Sequence, residues 1–242
     1  MKREVGVIRS LYRYPVKSMA GESVAAVTLG WHGLEADRRF AFRRVNDTSG
    51  FPWLYAGRLP SLVRYCPQAG EADEWVVRTP TGATWALRDE ALRAELSAAF
   101  KEEVQLMQLN HGMFDAAPLS LITTHTLATL EQSVGEALDE RRFRPNLVVE
   151  NNSGEAFPEA FPEDEWIGKL LVFGEADDAP AMAISERDER CGMVNLDPAT
   201  GEVNPRILKT VVQLNQNYAG IYGAPFRCGR LTVGAQVFLV DV

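Results

Sequence analysis

The chain has 242 residues, 46% of them hydrophobic, and carries a formal net charge of -8 from 33 acidic and 25 basic side chains. That apolar content suits one large domain or two small ones. The acidic balance argues against general nucleic-acid binding, which needs basic surfaces to neutralise phosphates, but leaves room for a local basic pocket holding one small anion.

The chain opens as Met1-Lys2-Arg3-Glu4-Val5, without an apolar signal core. No stretch approaches the roughly 18–20 apolar residues that span a bilayer. The expectation is a cytoplasmic protein, bacterial in style, with no membrane association.

In chain order, residues 5–12 are β-rich, as are 24–29, after which Gly30-Trp31-His32-Gly33 turns the chain. Residues 40–45 read as a strand closed by the turn residues 46–50. Residues 75–78 and 84–87 flank Thr79-Pro80-Thr81-Gly82, a hairpin signal. Asp89 then caps a helix whose apolar face is Leu92, Leu96, Ala99 and Phe100. Leu119-Ser120-Leu121-Ile122 reads as a buried strand, and Thr123 or Thr124 caps a second helix facing inward through Leu127, Leu130 and Val134. Residues 147–149 and 170–173 read as core strands. The acidic, proline-bearing stretch 150–178 reads as a surface insertion. Asn204-Pro205 opens a short helix, proline being tolerated early, and two strands around 225–228 and 236–241 end the chain. Many short strands joined by turns predict a barrel or sandwich. Trp31, Trp53, Trp75, Trp85 and Trp166 are expected in cores or at a domain interface.

Cys66, Cys191 and Cys228 are too far apart for a zinc ribbon or an all-cysteine iron–sulfur cluster within one chain. Any electrons passing through the protein therefore need carriers on separate partners. Cys66 and Cys228 read as ordinary buried thiols. His32, His111 and His125 form no i,i+3 or i,i+4 pair.

Four segments set polar groups in apolar surroundings. Tyr14-Pro15-Val16-Lys17-Ser18 places a lysine and a hydroxyl just after a strand, where the ammonium can serve a phosphate as a point charge. Asp37-Arg38-Arg39-Phe40 brings two arginines into an apolar strand. Neighbours in a strand face opposite ways, so one must point inward and needs an anion, with Asp37 a local alternative. Arg141-Arg142-Phe143-Arg144-Pro145-Asn146 clusters guanidinium forks suited to oxyanions, with Asp139 and Glu140 as the rival partners. Arg190-Cys191-Gly192 precedes Asp197-Pro198-Ala199-Thr200-Gly201. An adjacent arginine favours the thiolate, the form that ligates soft metals.

In this order, the four segments resemble MOSC proteins that carry an N-terminal β-barrel domain, a group that includes amidoxime-reducing components and the C-terminal domain of molybdenum-cofactor sulfurase. Asp115-Ala116-Ala117-Pro118 and Gly229-Arg230-Leu231-Thr232-Val233-Gly234 extend the resemblance over nearly the whole chain. It implies an α+β, mostly β fold, with a β-barrel-like domain over 1–110 and a MOSC domain over 111–242. It implies a molybdenum cofactor whose metal ligand is Cys191. Lys17 and Ser18 would contact the pterin phosphate, and Arg39, Arg144, Asn146 and Arg190 would complete the cofactor contacts. The implied activity is reduction of a small N-hydroxylated substrate, with electrons from separate flavin and iron–sulfur proteins. The alternative is carriage of sulfur, or of the cofactor itself, on Cys191. Pyridoxal phosphate on Lys17 is a weaker third reading, because nothing in the sequence places an acidic partner for its pyridine nitrogen. Glu189 stands where the family often has serine, Ala116-Ala117 where it has hydroxyls, and Tyr55-Ala56-Gly57 where it has Thr-Ala-Arg.

Overall fold

The computed structural model describes residues 2–71, 74–151 and 159–241. Its elements run β1 (Lys2–Arg13), β2 (Glu22–Ser23), β3 (Ala26–Gly30), β4 (Gly33–Leu34), β5 (Phe40–Arg44), β6 (Cys66–Ala69), β7 (Trp75–Arg78), β8 (Thr84–Ala86), α1 (Glu90–Phe100) and β9 (Val104–Gln108). They continue with β10 (Leu119–Thr123), α2 (Thr124–Val134), β11 (Leu147–Asn151), β12 (Leu170–Phe173), β13 (Ala181–Glu189), α3 (Arg206–Asn215), β14 (Tyr218–Arg227), β15 (Gly229–Thr232) and β16 (Gln236–Val240). The fold is mostly β, as the resemblance implies.

Seven strands close into a barrel in the order β11-β10-β14-β13-β12-β16-β1, shut by pairing of β1 with β11. Closure leaves no unpaired edge in this sheet. A β-bulge between Ile8 and Ser10 shifts the inward face of β1 by one residue, so Ile8 and Leu11 both join Leu121, Leu147, Ile221 and Val237 in the barrel core. The division expected at 110/111 follows chain order but not strand pairing. β1 is a stave of the barrel built from the second half of the chain, and β3 pairs with β15. Residues 40–108 form the second body, whose core is Phe42, Leu54, Leu62, Leu92, Leu96 and Val104.

Asp89 caps α1 by accepting from Ala91 N at 2.8 Å, and Thr123 caps α2 by accepting from Thr126 N at 3.2 Å. α2 and α3 pack Leu127, Leu130, Val134, Ile207 and Val211 together with Phe143 and Val194. That cluster underlies two segments of the site, at 140–144 and 191–195.

Several expectations need correction. The stretch 150–178 is not wholly a surface insertion. Residues 152–158 lie outside the described residues, but Glu163 is fully buried, accepting from Thr123 and Thr126, while Trp166 and the strand at 170–173 (β12) lie in the barrel core as expected. Trp31 is 69% exposed rather than a core or interface side chain. Cys66 and Cys228 are half-buried rather than buried. Strands β6, β9, β13 and β15 went unread, because short or charge-rich sequences acquire strand geometry from their partners. β14 also extends well before residue 225, through Gly220 and Gly223. Gly220 has φ +85°, and a Cβ there would lie 2.5 Å from Leu121 O and 3.0 Å from Arg190 Nη2. Glycine lets the β14 backbone lie against the Arg190 guanidinium.

Candidate functional site

A cleft of about 540 Å³ opens between the barrel and the second body. Segments distant in sequence build it: Lys17 and Ser18 after β1, Arg38 before β5, the 51–57 stretch, Met113 and Asp115, residues 142–144 after α2, 188–194 at the end of β13, and Tyr222 on β14. Its lining holds five cations (Lys17, Arg38, Arg142, Arg144 and Arg190) against three carboxylates, Asp115, Asp188 and Glu189. In a protein of net charge -8, this is a local positive focus.

β1 ends at Arg13, and the chain crosses to the second body through Val16, which bridges to Phe40, while Lys17 N donates to Phe40 O at 2.8 Å. Ser18 sits in the left-handed region at φ 64°, which turns the chain at the cleft wall. Lys17 is only 8% exposed, and its Nζ donates to Asp115 Oδ1 at 2.7 Å. Partial desolvation works against the Asp115 charge, but Lys17, Arg38 and Arg144 outweigh it and hold the carboxyl below its ordinary range. Asp115 thus marks where three cations from separate segments converge.

Of the adjacent arginines, Arg38 faces the cleft. Its Nη1 pairs with buried Asp37 and donates to Asn146 Oδ1 at 3.2 Å, and its Nη2 donates to Arg144 O at 3.1 Å. Burial disfavours the Arg38 charge, yet Asp37 and Tyr14 overcome this and raise its pKa. Arg39 turns the other way, donates to Asn110 O and does not line the cleft. The two point apart, but in a turn rather than a strand: β5 begins only at Phe40, and Arg38 stands before it in the left-handed region at φ 50°, lining the cleft where Arg39 does not.

Arg144 lines the cleft in a left-handed backbone conformation, φ 50°. Its guanidinium lies 4.2 Å from the centroid of the Tyr14 ring, and its Nη1 donates to Met19 O at 2.7 Å. Burial, with Arg38 nearby, brings its pKa down to about 10. Arg142 reaches the Asp197-Pro198-Ala199-Thr200-Gly201 loop, donating to Asp197 Oδ2 at 2.7 Å, while Asp197 Oδ1 accepts from Ala199 N and Thr200 N. Asn146 is fully buried outside the cleft. Its Oδ1 accepts from Ser120 N and Arg38 Nη1, and its Nδ2 donates to Tyr12 O. It braces Arg38 from behind the cleft wall. Asn146→Ala leaves these groups unpaired in the interior and is expected to cost about 2–4 kcal/mol of stability, read by denaturant unfolding.

Cys191 is an exposed free thiol at the cleft rim, preceding the short 3₁₀ turn Gly192–Asn195. Arg190 beside it is buried. Its Nε donates to Ala219 O and its Nη1 to Phe143 O, each at 2.7 Å. Its Nη2 lies 2.8 Å from Asp188 Oδ2 but is not aligned to hydrogen-bond it. Asp188, 1% exposed, accepts from Ser120 Oγ at 2.8 Å. Burial pushes its pKa up to about 6, against the pull of Arg190, Ser120 and Tyr222. Glu189, on the outward face of β13, accepts from Asn217 Nδ2 at 3.3 Å. Arg187 stacks on Tyr218 at 3.8 Å rather than pairing with Glu189.

Sequence reasoning missed Arg38, Asp188 and Tyr222 as cleft residues. Had β13 been read as a strand, period-two alternation would have put Asp188 and Arg190 on one face and Glu189 on the other. Tyr222 carried no local signal. His32 and His111 do meet in the fold, edge to face at 4.9 Å. Among the described residues, no group of three His, Cys, Asp or Glu could hold a metal ion, and no helix is long and apolar enough to cross a membrane.

Comparison with known proteins agrees with this architecture. The chain superposes on the YUAD protein from Bacillus subtilis with a TM-score of 0.51 and 11% identity, covering 100% of this chain and 97% of that one. It is similar over 52% of its length to YiiM from Geobacillus stearothermophilus, covering 55% of that chain, at 17% identity and a TM-score of 0.39. No curated protein matches the chain. The sequence profile of the MOSC N-terminal beta barrel domain matches residues 5–117, and that of the MOSC domain matches residues 108–238. The chain therefore belongs to the MOSC domain family, with a MOSC N-terminal beta barrel domain preceding the MOSC domain.

Proposed function

We propose that the cleft binds a molybdenum–pterin cofactor, and that the protein reduces N-hydroxylated small molecules with electrons from separate flavin and iron–sulfur proteins. One observation carries the reading. The cleft joins an exposed thiol, Cys191, to Lys17, Ser18, Arg142, Arg144 and Arg38. A soft metal ligand and a set of phosphate-binding cations thus share one cavity.

The donor set fits such a group. Among the described residues Cys191 has no cluster of protein ligands around it, so a metal held there would bring most of its ligands with it, as a pterin-bound metal does. Lys17, Arg142 and Arg144 would hold the phosphate end, and Arg38, braced by Asp37 and Asn146, would sustain the positive field. The volume lies within the 300–1,000 Å³ of ordinary small-molecule sites. When bound, the group supplies oxygen abstraction from the N–O bond coupled to electron transfer. The chain supplies orientation, charge neutralisation and, at Asp188 and Tyr222 on the cleft wall, groups able to hold a proton beside the substrate.

Protein purified from a host that makes the cofactor is expected to carry about one molybdenum per chain and to reduce an aromatic amidoxime with a competent electron donor. Molybdenum without turnover would reject the reductase and favour a carrier role, for which mass spectrometry should find one extra sulfur on Cys191. Absence of molybdenum under full cofactor supply rejects the site.

A further inference from the structure

A second cleft, of about 620 Å³, lies on the far side of the Ala20-Gly21 crossing, between the 60–82 region of the second body and the 197–202 loop. Only Ala20 and Gly21, Arg141 and Pro198 link its lining to the narrow passage that leads back to Arg142 and Arg144. Nothing in the proposed cofactor chemistry uses it.

Its polar lining is one-sided. Arg64, Arg78 and Arg141 come from three separate segments, and Thr81 adds a hydroxyl paired with Thr79 at 2.8 Å. The sole lining carboxylate is Glu22, already bound to Arg13 Nε at 2.5 Å. Among the described residues, no carboxylate pairs with the side chain of Arg64 or Arg78. Arg141 gives its Nε and Nη2 to Asp139 and keeps Nη1 for another acceptor. Cys66 ties the first two arginines together, its Sγ donating to Arg64 O at 3.4 Å and accepting from Arg78 Nη2 at 3.7 Å. In a chain with eight more acidic than basic side chains, guanidinium groups would pair internally wherever geometry allowed. Here three gather in a concavity with their own acid neutralised. No aromatic side chain lines the cleft, so nothing there stacks on a nucleobase.

We propose that this second cleft is a binding site for a compact, multiply charged oxyanion of the phosphate or pyrophosphate class, held by Arg64, Arg78 and Arg141 and separate from the Cys191 cleft. Guanidinium forks match such oxyanions in bidentate geometry. Because Arg64 and Arg78 are exposed, the attraction is screened by salt.

The test is titration of inorganic pyrophosphate into the full chain, followed by amide-resolved NMR at low and high salt. Shifts are expected at Thr79, Thr81, Gly82 and Ala199, with a dissociation constant of about 0.1–1 mM at low salt. Arg64→Ala/Arg78→Ala should weaken this response at least tenfold, and Lys17→Ala should leave it in place. These arginines are exposed, so the double variant is expected to fold. Shifts confined to the Lys17 cleft overturn the proposal, as do shifts at the second cleft that survive loss of both arginines. So does a lack of response up to about 10 mM. None of these outcomes depends on molybdenum, so the cofactor reading can fail without touching this one.

Discussion

Cys191→Ser protein, purified beside the wild type from a cofactor-competent host, is expected to hold less than about a tenth of the wild-type molybdenum while keeping its fold. The thiol is exposed and caps nothing through its side chain, so stability should change by no more than about 0.5 kcal/mol, as at other surface positions. Serine keeps the size of the side chain and removes the soft donor. Its hydroxyl is a hard oxygen donor, whereas sulfur is the ligand that soft metals prefer. Metal analysis and a thermal melt on the same samples separate loss of ligand from loss of structure. Equal molybdenum in both proteins would move the metal ligand elsewhere.

Arg190→Met acts in the opposite sense, on the frame rather than on the ligand. It removes two buried hydrogen bonds to Ala219 O and Phe143 O and strips Asp188 of its neighbouring cation. Breaking one half of a buried pair leaves the other half charged and desolvated, a loss of about 3–5 kcal/mol. For a chain of this size that is a fall in melting temperature of roughly 10 °C. The defect should depend on pH. Asp188 in the folded wild type titrates near 6, above its ordinary value of 3.8. The folded state therefore binds this proton more tightly than the unfolded state. Its contribution to stability is complete below about pH 4 and is lost as pH rises through about 6. Without Arg190 to pull it down, the Asp188 pKa rises further, so the loss extends to higher pH and the variant is least stable in alkaline buffer. Asp188→Asn should abolish the slope between pH 4 and 6. Melts of the three proteins from pH 4 to 8 check this, and parallel pH curves for wild type and Asp188→Asn would overturn it.

Much of the secondary structure could be read locally. The caps at Asp89 and Thr123 and the apolar face of α2 are short-range patterns, and each appears where it was expected; on α1 Leu92 and Leu96 are buried as expected, but Ala99 is exposed. β13 is harder to read because its second half, Ser185-Glu186-Arg187-Asp188-Glu189, is nearly all polar. Its apolar start is held by β12 and β14 on both sides, and its polar half is a strand because β14 pairs along it at Glu186, Arg187 and Glu189.

The site divides the same way. The sequence by itself determined which chemistries were present: one cysteine after an arginine, a lysine and serine after a strand, and arginines crowded before a proline. Their order along the chain carried the family resemblance. Only the tertiary structure decided which of these groups meet. Arg38 rather than Arg39 enters the cleft because the turn before β5 puts Arg38 in the left-handed region, φ 50°, where Asp37 and Asn146 hold its guanidinium. Asn146 became a brace because Ser120, Tyr12 and Arg38 converge on it from segments 26 to 134 residues away. Cys191 stands at the rim of a cationic cavity because barrel closure through β1 and β11 brings the chain's first strand against residues about 140 positions later. Local propensity acts over a few residues, whereas register and closure depend on pairings across the whole chain, and those pairings place the thiol beside the cations.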